Sequence, residues 1–299
     1  MTTEAIAAPE VAAPPAPGEA AVKKTLGLAF WICIGWLVLM VLVAVLAPHL
    51  PIPDPKANFT KPGQAGPSHA PSAAHWFGTD KDARDVFSRT VYGARVSLTV
   101  GFIAIAFGML VGGTLGILAG FFRGWCDRIF SFMFLVLLSF PSLVLAIMLT
   151  ALLDRKLLTI SMILGVLAVA PVGRLARATT MQYADREFVM AARSLGAKNT
   201  RLIIRELLPN VAIPMSALAL LGMAVAIVAE GGLAFLGLSV EHSITWGGMI
   251  QLGSDSSRTL QHQPWIAFFP IGVLFLTVFA LNFAGDRVRT YFDVKEISL

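Results

Sequence analysis

Long uncharged apolar runs alternate with short polar segments along the 299-residue chain. Six of them reach the length needed to cross a hydrocarbon core of about 30 Å. They are residues 26–46, 96–122, 129–153, 157–173, 213–238 and 265–284. The first follows Lys23 and Lys24 and is too long for a cleaved signal, so it reads as a signal-anchor span. The third is interrupted only by Pro141, and the fifth carries a single charge, Glu230. Residues 1–25 are rich in Ala, Pro and Glu, lack apolar periodicity and are expected to form a disordered cytoplasmic tail. Residues 47–95 form a loop on the far side. Within it, 82–95 places Val86, Phe87, Val91 and Ala94 on one face, as a helix lying in the membrane interface would. Residues 96–285 make a five-helix core, and 286–299 a C-terminal tail.

Composition strengthens this picture. Only 14% of residues are charged, against about 25% in soluble domains, and 56% are hydrophobic. Mean hydropathy is +0.74. The expected class is an all-α polytopic membrane protein with six transmembrane helices. The net charge of +5 does not point to nucleic acid, because the basic residues flank apolar runs, where topology is set. Placing both termini inside puts Lys23, Lys24, Arg123, Arg128, the basic residues of 174–210, Arg287, Arg289 and Lys295 on the cytoplasmic side. The remaining basic residues sit mostly in the long first loop, and long translocated segments determine topology weakly. All five histidines then lie outside without tight ligand spacing and read as surface residues. Cys33 and Cys126 fall in different compartments and form neither a disulfide nor a metal motif.

The segment 174–210 is the exception to the apolar pattern. It holds seven basic residues (174, 177, 186, 193, 198, 201, 205) and three acidic ones (185, 187, 206). At roughly 3 kcal/mol per charge, burying these ten at the bilayer centre would cost about 30 kcal/mol, so the segment lies in water. Phe188, Ala191, Ala192 and Leu195 recur at helical spacing. Gly196 follows where a helix C-terminus favours a left-handed residue. Asn199 or Thr200 then caps a second helix with Ile203, Ile204, Leu207 and Leu208 on one face, and Pro209 and Pro214 lead into the next span. Small Ala191 and Ala192 keep the first helix slim enough for a partner's groove. Arg193, Lys198, Arg201 and Arg205 are available for acidic groups or lipid phosphates. A generic basic loop is the bland alternative.

This segment resembles the signature loop of permease subunits in ABC importers, where Glu-Ala-Ala, three residues, Gly, nine residues, Ile, one residue and Leu-Pro recur. Here Met190-Ala191-Ala192, Gly196 and Leu208-Pro209 match, while Met190 replaces the Glu and Glu206 takes the Ile place. The stretch 76–95 is similar to the block before the second span of dipeptide and oligopeptide permeases. Residues 140–143, 229–238, Pro264-Trp265 and Phe269-Pro270 resemble later blocks. The resemblance is to the second, C-type permease of such importers. It implies a type I ABC importer permease fold in the cytoplasmic membrane and transport of dipeptides or short oligopeptides by alternating access. Some branches of the family import nickel, haem or another small ligand. It implies a sister permease as heterodimer partner, two cytoplasmic ATPase subunits, an extracytoplasmic solute-binding protein and surrounding lipid. The residues expected to meet the ATPase are Phe188, Met190, Ala191, Ala192, Arg193, Leu195, Gly196, Arg201, Arg205 and Pro209.

Other features are open to two readings. Glu230 either lines the outer mouth of the pathway or pairs structurally. Phe140 and Pro141, like Pro171 and Pro270, offer a gate or a tolerated kink. Gly108, Gly112, Gly116 and Gly120 form a smooth strip for static packing or sliding. The chain has neither a Gly-x4-Gly-Lys-Ser/Thr phosphate loop nor a His-Glu-x-x-His motif. It is therefore expected to be a transport subunit without a catalytic site or cofactor, with ATP and Mg bound by its partners. A secondary transporter remains as a rival class, although no internal repeat is apparent. An intramembrane enzyme would need paired catalytic groups at span depth.

Overall fold

The computed structural model describes residues 26–297, with side chains up to residue 292. The expected N-terminal tail lies outside the described residues. Among those residues the chain is helical apart from loops and one isolated bridge between Thr79 and Asp85. Helix α1 spans Gly27–Leu46, and α2 runs through Val86–Phe122. A bent pair follows, α3 (Gly124–Ser139) and α4 (Ser142–Leu152). Next come α5 (Leu157–Ala184), the short α6 (Glu187–Ser194) and α7 (Asn199–Phe235). Two short helices, α8 (Trp246–Ser254) and α9 (Ser257–His262), precede α10 (Trp265–Ile297). Among the described residues five helices are long and apolar enough to cross a membrane, and a sixth crossing requires α3 and α4 to act together.

The core is built on the glycine strip. Gly108, Gly112, Gly116 and Gly120 all face α5. A Cβ at Gly112 would strike the Val169 carbonyl, and one at Gly116 the Gly173 carbonyl. The two backbones meet because these four positions carry no side chain. Helix α2 makes a wide π-turn at Met109–Gly113, inside the strip. Its start is fixed by Asp85, whose Oδ1 accepts the Ser88 N–H at 2.7 Å.

Five boundaries differ from expectation, the first four for a visible physical reason. The interfacial helix expected at 82–95 is not separate. From Val86 onward it forms the first turns of α2, and Arg89 is buried and paired with Asp80 at 3.4 Å instead of facing an interface. The run 129–153 breaks by 82° at Phe140-Pro141. Phe140 is extended (φ −94°, ψ 136°), as a residue before proline prefers. Helix α5 continues past residue 173 to Ala184, so Arg174 and Arg177 lie on helix rather than loop. Arg177 satisfies its charge on Asp127 of α3, with Nη2 to Oδ2 at 2.7 Å. Finally, the second helix expected after Gly196 is continuous with the fifth span. A π-turn at Leu202–Leu207 joins them, and Pro209 falls in the first turn beyond it, where a missing N–H is tolerated. At the C-terminus the expected tail from 286 is helical to Ile297.

The end opposite residues 185–198 carries a cap made of 47–85 with α8 and α9. Phe77 stacks on Phe269 with ring centroids 4.0 Å apart, and the Trp265 indole donates to the Thr79 carbonyl at 3.2 Å. His75 is not a surface residue: it is buried, with Nδ1 2.7 Å from Asp85 Oδ2. Lys81 pairs with Asp255, and its ammonium holds that carboxyl below the usual range.

Candidate functional site

Helix α6 ends in a Schellman turn. The Ala197 N–H donates to the Ala192 carbonyl at 3.1 Å and the Gly196 N–H to the Arg193 carbonyl at 3.0 Å. Gly196 has φ +82°, a conformation that L side chains rarely adopt. Its missing Cβ faces open space, so the requirement for glycine is conformational, not steric. This turn fixes the angle at which α6 leaves and α7 returns.

The helix has two faces. The inner one seats Val189, which is 1% exposed, with half-buried Ala192 against Phe121, Leu202 and Leu207. The outer one presents Phe188, Ala191 and Leu195, with Met190 exposed beside them. Leu195 is 89% exposed. Covering such a side chain with a partner would gain about 2 kcal/mol of burial. The stripe expected from the sequence therefore divides: Phe188, Ala191 and Leu195 face outward, and Ala192 sits at the inner edge.

Arg193 turns back onto the protein, with its guanidinium 5.9 Å from the centroid of the Phe121 ring. Arg201, Arg205 and Pro209 are exposed along the start of α7. There the buried face is Leu202, half-buried Ile203 and Leu207, while Ile204 and Leu208 are exposed. The packed face is thus one residue earlier than the apolar spacing alone suggested. Neither Asn199 nor Thr200 caps α7; Lys198 precedes its first turn, and no side chain closes it.

Two ion pairs that sequence reasoning missed secure the site. Arg123 bonds Asp185 at the start of the loop, and Arg177 bonds Asp127. Their signal was available: each pair joins residues at the ends of antiparallel neighbouring runs on the same side of the bundle.

Away from this end, Phe140 is 55% exposed beside Pro141 at the α3–α4 break. The break borders an apolar cavity of about 360 Å³, lined by Leu138, Leu143, Ala146, Leu164, Pro171 and Val225 among others. Glu230 stands elsewhere. It is 1% exposed and accepts from the Ser97 hydroxyl at 3.4 Å, so its carboxylate faces protein instead of that cavity.

Residues 112–296 match the family model described as binding-protein-dependent transport system inner membrane component. The chain is 38% identical over 256 residues to the dipeptide transport system permease protein DppC of Alkalihalophilus pseudofirmus, covering 85% of this chain and 82% of that one. It is 33% identical over 260 residues to the oligopeptide transport system permease protein OppC of Bacillus subtilis, covering 87% and 83%. It is also 33% identical over 229 residues to the glutathione transport system permease protein GsiD of Pectobacterium atrosepticum, covering 76% and 75%. A chain of the inward-facing MetNI methionine ABC transporter shares the fold, with a TM-score of 0.56 at 18% identity over 69% of this chain and 97% of that chain. A family match over residues 112–296 and relatives matched over three quarters or more of their length lead to one conclusion: the protein belongs to the binding-protein-dependent transport system inner membrane components, the permease subunits of ABC importers.

Proposed function

We propose that this chain moves dipeptides or short oligopeptides across the cytoplasmic membrane by alternating access, driven by separate ATPase subunits that dock on α6. The observation that carries this reading is the exposed apolar face of Phe188, Ala191 and Leu195, displayed by a helix that a Schellman turn holds at a set angle. Such a face fits a groove in a partner. Peptide cargo is inferred from relatives named as dipeptide and oligopeptide permeases.

In this reading both termini and residues 185–198 are cytoplasmic, and α3 with α4 makes one of six crossings. A sister permease completes the pathway, two ATPases hold ATP and Mg, and an extracytoplasmic solute-binding protein delivers cargo. Helix α6 lies between α5 and α7, so its displacement passes directly into two spans. The α3–α4 break at Phe140-Pro141 and the apolar cavity beside it supply a place where the bundle can yield. Tight docking alone would shift nothing; α6 must contact the ATPase differently in the two states.

Purification in mild detergent tests the docking. ATPase chains that copurify with the parent and are lost from Leu195→Glu support it. Full retention by Leu195→Glu removes it. Uptake of a labelled dipeptide into proteoliposomes, competed by unlabelled oligopeptide, tests the cargo.

A further inference from the structure

The far end of α7 holds a buried carboxylate that docking does not use. Glu230 Oε2 accepts from the Ser97 hydroxyl of α2 at 3.4 Å. The same hydroxyl oxygen accepts the Trp246 backbone N–H at 3.2 Å. Trp246 opens α8, so this is one of the amides that a helix cannot pair internally. Thr245 caps the same helix by accepting the Gly248 N–H at 3.0 Å. Glu230 thus reaches the N-terminus of α8 through Ser97, as a hydrogen-bond acceptor.

Packing reinforces the joint. The Trp246 indole is fully buried and donates to the Thr90 carbonyl at 2.9 Å. Gly247 lies so close to Gly231 that an added Cβ would strike the Gly231 backbone and Ala234. Helices α2, α7 and α8 therefore meet at one point around Glu230.

The carboxylate is incompletely satisfied. Its Oε1 is buried and makes no hydrogen bond of good geometry among the described residues, although the Thr245 hydroxyl that caps α8 lies close to the carboxyl group. A buried acceptor without a partner is costly, and a group short of a partner in one arrangement can gain one in another. That is the kind of differential contact a conformational change requires. Helix α7 is also one piece of 37 residues beginning just after the Gly196 turn. At 1.5 Å per residue, Glu230 stands roughly 45 Å along it from Asn199.

We propose that Glu230 is a positioning residue that joins the two ends of the protein. Movement of α6 and the start of α7 with the ATPase reaches the α8–α9 hairpin through Glu230, Ser97 and the first amide of α8. The hairpin lies on the opposite end of the bundle, so its surface reports the state of the ATPase there. This inference rests on the docking reading above.

The assembled transporter in lipid nanodiscs tests it. Cys33 and Cys126 are replaced by Ser, and a nitroxide is attached at Leu260→Cys on α9, a position 37% exposed. ATP with vanadate traps the ATPase. The label's spectrum is expected to change on trapping in the parent. In both Glu230→Ala and Ser97→Ala the change falls by about fivefold or more, with the complex still assembled by gel filtration. Glu230→Gln keeps an acceptor for Ser97 and retains most of the response. A parent-like response in both Glu230→Ala and Ser97→Ala overturns the proposal, as does a label that never responds in the parent. If Glu230→Ala does not assemble, Ser97→Ala decides alone. Failure of any ATPase to copurify is a separate result: it removes the docking reading and this inference with it.

Discussion

Arg123 Nη2 lies 2.7 Å from both carboxylate oxygens of Asp185, fastening the turn between α2 and α3 to the first residue after α5. The pair is half exposed, so it contributes about 0.2–1 kcal/mol to stability. Its effect is on position: it sets where the docking loop leaves the bundle.

Arg123 itself is strained. Its backbone has φ 54° and ψ −158°, a region nearly reserved for glycine, at a cost of about 1–3 kcal/mol. Arg123→Ala loses the ion pair and keeps the strain. Arg123→Gly loses the pair and relieves it. Thermal unfolding in detergent is expected to rank Arg123→Gly above Arg123→Ala by roughly 1–2 kcal/mol, the gain from releasing a strained turn. The reverse order would show that the turn's geometry is not what limits this position.

Gly196 separates conformation from space. Nothing lies within 4 Å of its absent Cβ. Substitution is therefore penalised only by φ +82°, about 1–2 kcal/mol for an ordinary L residue and more for a β-branched one. Gly196→Asn is expected to be mild, because Asn tolerates the left-handed region, and Gly196→Val severe. Uptake per ATP hydrolysed in proteoliposomes should fall in the order Gly, Asn, Ala, Val. Equal coupling in Gly196→Asn and Gly196→Val would contradict the turn's role.

The glycine strip gives the opposite case. Alanine at Gly116 drives a methyl into the Gly173 carbonyl, and alanine at Gly112 into that of Val169. Neither obstacle is a flexible side-chain tip, so α2 and α5 must separate. Overpacking of this kind costs typically about 1–3 kcal/mol per site. Gly113→Ala is the control, since its nearest neighbour is Met215 Cε at 4.0 Å. A detergent melting midpoint lowered by Gly112→Ala and Gly116→Ala but not by Gly113→Ala confirms a backbone contact. Three equal midpoints would refute it.

Much of this was legible before any coordinates. Apolar run length marked the helices, because bilayer thickness fixes how many residues a span needs. Gly196 was legible because a left-handed helix end leaves few choices of residue. Helix ends were less so. Arg174 and Arg177 looked like loop residues, but the charge of Arg177 is met by Asp127 of another helix, a pairing that periodicity within one segment cannot register. Likewise Ile203, Ile204, Leu207 and Leu208 share a face by spacing, but the side that packs is one residue earlier, Leu202, Ile203, Glu206 and Leu207, because Phe121 and Val189 lie against it. Arg193 stands four residues after the buried Val189, on the side of α6 that meets Phe121, and not in register with Phe188, Ala191 and Leu195. Helices α8 and α9 escaped notice because they are short and their burial depends on α2, α7 and α10. What the sequence hid are contacts between distant segments.

The cap at the opposite end offers a test of how its parts are joined. Asp85 does two tasks: Oδ1 closes the N-terminus of α2 at Ser88, and Oδ2 holds His75 Nδ1 at 2.7 Å. Both side chains of the pair are buried, at 8% and 3% exposure. Asp85→Ala removes the cap and leaves the buried imidazole nitrogen without its partner, so a loss of about 1.5–5 kcal/mol is expected, the cap and the stranded hydrogen-bonding group together. Asp85→Asn keeps an oxygen for the Ser88 amide and should lose less, since a cap alone is worth about 0.5–2 kcal/mol. His75→Ala leaves the cap intact but strands one carboxylate oxygen. The double variant should then be less destabilised than the two single variants added, with a coupling of roughly 0.5–3 kcal/mol. Thermal unfolding of the four proteins in one detergent measures that cycle. Strict additivity would mean that the bond between His75 and Asp85 does not contribute to holding the cap on α2.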